Sequence, residues 1–332
     1  MVDKKWTAMA ATLLLFGFAA AFQGGIADYI QQLKNGNRIE TAYADAPAEA
    51  GKAKGELDSL YEQISREAIK RRVAPVNATV DRVWKAIPGY NGLEVDVEET
   101  YRLAKASPEA PIRYQYYEVE PKVKLENLGE HPIYKGNPNK PMVSFMINVA
   151  WGNEFLEPIL KTLKEEKVKA TFFLDGSWLK KNVELARRIQ LEEHELSNHA
   201  YSHPDMSRLG REAAYQQISK TEALLKSELN VANKWFAPPS GDFNQMTVKV
   251  AAEQGLKTVL WTLDTVDWKK PPASSIVQKI RLRIEPGGLI LMHPTASSSE
   301  ALPGMIREIR KKGLTIGTVS ETLSEKRVPE VE

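Results

Sequence analysis

Leu196-Ser197-Asn198-His199-Ala200-Tyr201-Ser202-His203-Pro204-Asp205-Met206 sets two histidines four residues apart in an apolar, turn-forming context. If the segment is helical or tightly turned, side chains at i and i+4 share one face. Both imidazoles can then converge on one cation, and imidazole suits zinc and its transition-metal neighbours. The chain has five histidines, and His194 stands just upstream. Taken alone, the pair therefore reads equally well as two ordinary surface or core histidines.

The surroundings of the pair weigh toward a site. From residue 141 onward, short apolar runs alternate with segments of helical periodicity. Strands are predicted over 143–149, 169–174, 194–198, 234–238, 258–263, 288–293 and 314–319, and helices over 153–166, 177–190, 211–229, 245–254, 274–285 and 300–312. This alternation implies a parallel sheet with helical crossovers, as an open doubly wound sheet or an incomplete barrel, with chemistry gathered at the carboxyl ends of the strands. Those ends carry Asn148, Asp175, His199, His203, the Pro238-Pro239-Ser240-Gly241 turn, Asp264, Asp267, Trp268 and His293. Asp175 and Asp205 read best as helix caps. His293 follows the wholly apolar Leu289-Ile290-Leu291-Met292, and a titratable ring aimed out of a buried strand end is an acid–base position.

Composition narrows the class. The chain has 332 residues, 42% of them hydrophobic, and a formal net charge of +2, with no long basic run of the kind that binds nucleic acid. It has no cysteine, which excludes disulfides, thiolate metal sites and a cysteine nucleophile. Any metal must be held by His, Asp, Glu or Asn.

Lys4 and Lys5 precede an uncharged apolar run over 6–22 that ends in Ala19-Ala20-Ala21. This reads as a signal peptide or an uncleaved membrane anchor within 1–25, and either outcome places the remainder outside the cytoplasm. A linker follows over 26–55. Residues 56–133 form a small, mostly helical accessory module, with helices over 56–72 and 77–87 and a strand over 93–97. His131 within it reads as an ordinary surface histidine. A turn-rich linker over 134–141 introduces the main domain, 142–323, which is expected to fold by itself, and 324–332 is a tail.

From 141 to about 323 the sequence resembles the NodB-homology domain of the polysaccharide deacetylases, carbohydrate esterase family 4. The resemblance rests on Lys169-Ala170-Thr171-Phe172-Phe173, on Asn198-His199 with His203-Pro204-Asp205, on Trp261-Thr262-Leu263-Asp264-Thr265-Val266-Asp267-Trp268, and on Leu291-Met292-His293, in that order. The first half, with its stretch from Val83 to Gly92, resembles deacetylase-like proteins associated with sporulation in endospore-forming bacteria. The resemblance implies a distorted seven-stranded (β/α) barrel that removes N-acetyl groups from peptidoglycan or chitin-like glycans, so the expected partner is a cell-wall polysaccharide. It also implies a divalent metal, zinc by preference, bound by His199 and His203. His293 would be the general acid, Asp267 (Asp264 as second choice) the carboxylate that orients it, and Pro239, Trp268 and Met292 would touch substrate.

Two motifs depart from the family, the first and the third. Its first motif presents two adjacent aspartates, a general base and a third metal ligand, where this chain has Asn148 and Val149; the arginine that steadies the base is replaced by Ala237. An amide accepts no proton at neutral pH and valine coordinates nothing. Two classes stay open. In one, a weakly active hydrolase recruits another carboxylate such as Glu154; in the other, a noncatalytic glycan-binding or assembly protein keeps only the groove.

Overall fold

The computed structural model describes residues 49–328, and the account below concerns the unit that begins at Leu60. Residues 6–22, where the signal or anchor is expected, lie outside the described residues. No helix among the described residues is long and apolar enough to cross a membrane.

The first half opens with the helix Glu49–Arg71. It continues through β1 (Thr79–Asp81), β2 (Lys85–Ile87), β3 (Gly92–Val95), the helix Val97–Ala106 and β4 (Tyr116–Val119). The helix expected over 77–87 is instead an antiparallel hairpin of β1 and β2. Val80, Val83 and Trp84 carry helix-like spacing, but Asp81 Oδ1 accepts from the backbone N–H groups of Val83 and Trp84, both at 2.7 Å, which builds a turn. Lys85 completes it with a φ of 57°. The segment is therefore mixed rather than mostly helical. The helix at 97–106 starts at Asp96, whose side chain accepts from Glu99 N.

The strands of the second half are β5 (Met142–Val149), β6 (Thr171–Leu174), β7 (Glu195–Asn198), β8 (Trp235–Phe236), β9 (Lys257–Thr258), β10 (Leu263–Asp264), β11 (Leu289–Met292) and β12 (Thr315–Gly317). They form one parallel sheet in the order β10-β11-β5-β6-β7-β8-β9, with β12 paired to β5. Ser144 of β5 pairs with both Leu289 and Gly317, so β11 and β12 flank opposite edges of β5. β6 shares the β12 edge further along. Strand β5 pairs with three others, and it is buried from Val143 to Val149, as a parallel strand covered on both faces requires.

Two corrections apply to the predicted elements. The strand over 258–263 is two short strands, β9 and β10, on opposite ends of the sheet, and the helix over 177–190 breaks at Asn182 into Gly176–Lys181 and Val183–Leu191.

Side chains alternate between two apolar clusters. Val143, Phe145, Ile147 and Val149 join the larger cluster with Leu156, Ile159, Leu302 and Ile306 of the covering helices. Met146 faces the other way, with Phe173, Ala237 and Leu289. That inner cluster also contains Ala86, Leu125 and Ile133 from the first half. Ile133 is fully buried, bridges Val259 beyond β9 and exchanges backbone hydrogen bonds with Thr258 and Leu260. It covers a sheet edge that would otherwise be open. The turn-rich stretch at 134–141 thus marks a change in composition, while the cores on its two sides are shared.

Candidate functional site

The carboxyl ends of β5, β7, β8, β10 and β11 surround a cavity of about 460 Å³. Its lining comprises Asn148, Ala150 and Trp151 after β5, His199 and His203 after β7, Ser240 after β8, Trp261, Asp264 and Trp268 around β10, and Leu291 and His293 from β11. Ligands gather at this end of parallel sheets because the strand-to-helix loops there are free to vary.

His199 leaves β7 through a turn held from behind. Asn198 is fully buried; its Oδ1 accepts from Ala200 N at 2.8 Å, and its Nδ2 donates to Ile218 O and to Glu222 Oε1. Ala200 and His203 then take φ values of 59° and 55°, which fold the segment back on itself. The two imidazole rings lie 5.2 Å apart. His199 Nδ1 is 2.8 Å from the carbonyl oxygen of Ala237, which can only accept, so Nδ1 carries the proton and Nε2 keeps its lone pair. Burial, reinforced by the neighbouring His203, pushes the His199 pKa down to about 3, so the ring is neutral at physiological pH.

His293 is anchored by one carboxylate at two points. Asp267 Oδ1 lies 2.8 Å from His293 Nδ1, and Oδ2 accepts from the His293 backbone N–H at 2.6 Å and from the Ser298 hydroxyl. Asp267 is fully buried. Burial alone would raise its pKa, but the His293 ring, the Ser298 hydroxyl and the backbone N–H together hold it below the ordinary aspartate value. The Trp151 ring lies nearly parallel to His293, at 8° and 6.0 Å between centroids. The loops after β5 and β11 touch closely at Gly152, whose φ is 83°; a Cβ there would stand 2.0 Å from Pro294 O, so only glycine fits.

The structure brings Asn148, His199, His203, Trp268 and His293 to one cavity, with Asp267 directly behind His293. Two expected substrate contacts lie elsewhere. Met292 pairs with Ile147 and is buried in the larger apolar cluster; Leu291, of opposite parity, faces the cavity instead. Pro239 is buried outside the cavity wall, and its neighbour Ser240 takes the place. Trp151 and Trp261 also line the cavity, although neither is among the expected substrate contacts. Glu154 is exposed on the helix Asn153–Glu165 and does not line the cavity. His194 lies at the opposite end of β7, buried, with its pKa pushed down to about 4 by burial and by Lys169.

As a metal site the residues present are incomplete. His199 and His203 offer two neutral donors, but Val149 is fully buried among the covering helices, and among the described residues no three His, Asp or Glu side chains converge on one point.

A family model described as polysaccharide deacetylase matches residues 135–259. YlxY of Bacillus subtilis strain 168, whose function is uncharacterised, is 43% identical over 98% of this chain and 99% of its own length. A peptidoglycan-N-acetylglucosamine deacetylase of Bacillus cereus is 34% identical over 58% of this chain and 74% of its own. Among solved structures, BA3943 of Bacillus anthracis, described as a CE4 family pseudoenzyme, superposes with a TM-score of 0.76 at 44% identity, covering 81% of this chain and 96% of that one. A BA3943 mutant described as having restored enzymatic activity superposes equally well.

Proposed function

Because the chain belongs to the polysaccharide deacetylase family, carbohydrate esterase family 4, we propose that it uses the family's cavity to bind N-acetylated cell-wall glycan without hydrolysing it. One observation carries this reading. The end of β5 offers the cavity an amide, Asn148, and sends its neighbour Val149 into the apolar core, so neither a proton acceptor nor an anionic metal ligand stands there.

Acetamide hydrolysis in this family is metal-dependent, the metal polarising the carbonyl and activating water. Here His199 and His203 would supply two ligands, and zinc is the ion their chemistry favours, but among the described residues the donor set does not complete a site. Losing a general base costs on the order of 10²- to 10⁴-fold in rate, before the missing ligand is counted.

What survives suits binding. Trp151, Trp261 and Trp268 line the cavity, and their flat apolar faces match the C–H faces of pyranose rings. His293, oriented by Asp267, still presents Nε2 as a hydrogen-bonding group. The intact His293–Asp267 pair also supports a second reading, a residual hydrolase of low rate. On either reading the chain would work outside the cytoplasm, with residues 6–22 as exporter or anchor, and the resemblance of the first half to sporulation-associated proteins supports a role in spore formation.

The test is isothermal titration with N-acetylated chitotetraose and with muropeptide fragments, beside an acetate-release assay on the same ligands. Binding with no acetate above the enzyme-free rate supports the proposal. Absence of binding to either ligand opposes it.

A further inference from the structure

A second pocket, of about 220 Å³, lies at the opposite end of the sheet from the cavity. It opens at the amino ends of β10 and β11, and Trp84, Lys135, Arg283, Glu285 and Pro286 line it. Gly288 borders this pocket and His293 the cavity, so the length of β11, about 16 Å from one to the other, keeps the two apart. Backbone hydrogen bonds tie its walls together. The β1–β2 hairpin, which carries Trp84, is held to the stretch before Lys135 by Ala86 N and Pro132 O at 3.1 Å; the stretch after it is held to the loop before β11 by Gly136 N and Gly287 O at 2.7 Å. Gly287 has a φ of 75°, and a Cβ there would stand 2.7 Å from Gly136 O, so this close approach requires glycine.

The lining combines an aromatic wall with an excess of positive charge. Trp84 is 36% exposed, its ring packs edge-on against Tyr134 at 6.4 Å, and the Lys135 ammonium stands 5.4 Å from its centre. Arg283 ends the helix Ala273–Arg283 and is exposed. Among the described residues no carboxylate lies within ion-pair distance of Arg283 or Lys135, although Glu285 lines the same pocket. Two cations facing one carboxylate leave one positive charge uncompensated.

We propose that this pocket is a second glycan site, one that takes a sugar unit carrying a single carboxylate. The ligand class rests on the glycan-binding reading above. A guanidinium fork holds a carboxylate through two parallel N–H···O bonds, and the Lys135 ammonium adds a further charged donor. The indole and Pro286 receive the apolar C–H side of the ring. Glu285 accepts from the ring hydroxyls, and its charge opposes a doubly charged phosphate monoester, which matches the pocket to a monoanion. The volume is below the roughly 300 Å³ at which pockets for larger ligands begin, and it suits one ring of a polymer. With the cavity at the other end of the sheet, the protein then grips an acidic wall polymer at two points.

The experiment titrates the full chain, held in neutral detergent at low salt and about pH 7, where a sugar carboxylate is ionised. The ligands are methyl β-D-glucuronide, methyl β-D-glucoside, which replaces the carboxylate by a hydroxymethyl group, dimethyl phosphate, a monoanion without a ring, and N-acetylglucosamine tetramer. The glucuronide is expected to bind at least about tenfold more tightly than the glucoside or dimethyl phosphate. Arg283→Gln and Lys135→Gln are each expected to remove most of that preference and leave the tetramer's affinity unchanged. Trp268→Ala, on the cavity rim, is expected to weaken the tetramer and leave the glucuronide's affinity unchanged. A thermal melt of each variant checks its fold, and Arg283→Gln, at an exposed position, keeps the test decisive if Lys135→Gln disturbs the chain. Equal binding of glucuronide and glucoside overturns the inference. So does dimethyl phosphate binding as tightly as the glucuronide, or glucuronide binding that survives Arg283→Gln and falls with Trp268→Ala. Glucuronide binding through Arg283 with no binding of the tetramer supports this site and opposes the cavity's role, whereas binding of no ligand overturns both.

Discussion

Asn148 and Val149 are consecutive residues of β5 that face opposite sides of the sheet, Asn148 toward the cavity and Val149, fully buried, into the apolar layer beneath the helices. The strand's two-residue period forces this separation. An aspartate at 149 must therefore either carry its charge into that layer or leave its rotamer to reach the histidines.

Val149→Asp is accordingly expected to destabilise the chain by about 3 kcal/mol or more in metal-free buffer, through an uncompensated buried carboxylate. Zinc should restore part of the loss, because the carboxylate then gains a reason to turn toward His199 and His203. Urea denaturation with chelator and with excess zinc measures both quantities; equal stability of native and variant chains in chelator would contradict the packing assigned to Val149.

In the native chain the two imidazoles lack an anionic partner, and weak zinc binding follows. Chelator is expected to leave the native melting temperature within about 1 °C of its starting value, since little bound metal is there to remove. His203→Ala should abolish what zinc binding remains. A large drop on chelation would reveal a third ligand.

Stability should fall in mildly acidic solution. His199 and His194 have folded-state pKa values near 3 and 4, both depressed by burial, whereas an unfolded histidine titrates near about 6.5. The unfolded chain thus binds protons that the folded chain refuses. The stabilisation is complete above that unfolded value and is lost as the pH falls from there toward 4 and 3, by about 2 kcal/mol per histidine at about pH 5. The urea midpoint should be lower at about pH 5 than at about pH 7.5, and His194→Gln should remove part of the difference. A variant with the native slope would show that His194 is protonated in the fold.

Ile133, Ala86 and Leu125 sit in the same cluster as Met146, Phe173 and Val259. A fragment starting at Pro141 therefore uncovers the inner face of the sheet, and it is expected to aggregate or melt without cooperativity, while residues 60–328 melt as one unit. Light scattering and calorimetry of the two fragments decide; a well-behaved shorter fragment would show that the first half is dispensable.

Much of the second half was legible because parallel strands buried on both faces read as apolar runs, as in Val143–Val149 and Leu289–Met292, and because histidines at their ends are conspicuous. The same burial hid the parity: every residue of Leu289–Met292 is apolar, so nothing local told that Leu291 rather than Met292 faces the cavity. Trp151 gained its role from His293, far along the chain, a contact that no local pattern encodes. The hairpin at 79–87 was misread because valine and tryptophan spacing imitated a helix while one Asp81 side chain imposed the turn.

Acetate release from N-acetylated chitotetraose, followed for the native chain, for His199→Ala/His203→Ala and for Asn148→Asp/Val149→Asp/Ala237→Arg with zinc present, tests the central claim most directly. The account predicts no release by the native chain above the enzyme-free rate and measurable release by the triple variant, which regains base, ligand and arginine together. Release by the native chain that disappears with the two histidines would contradict it, because a working base other than residue 148 would then serve the cavity.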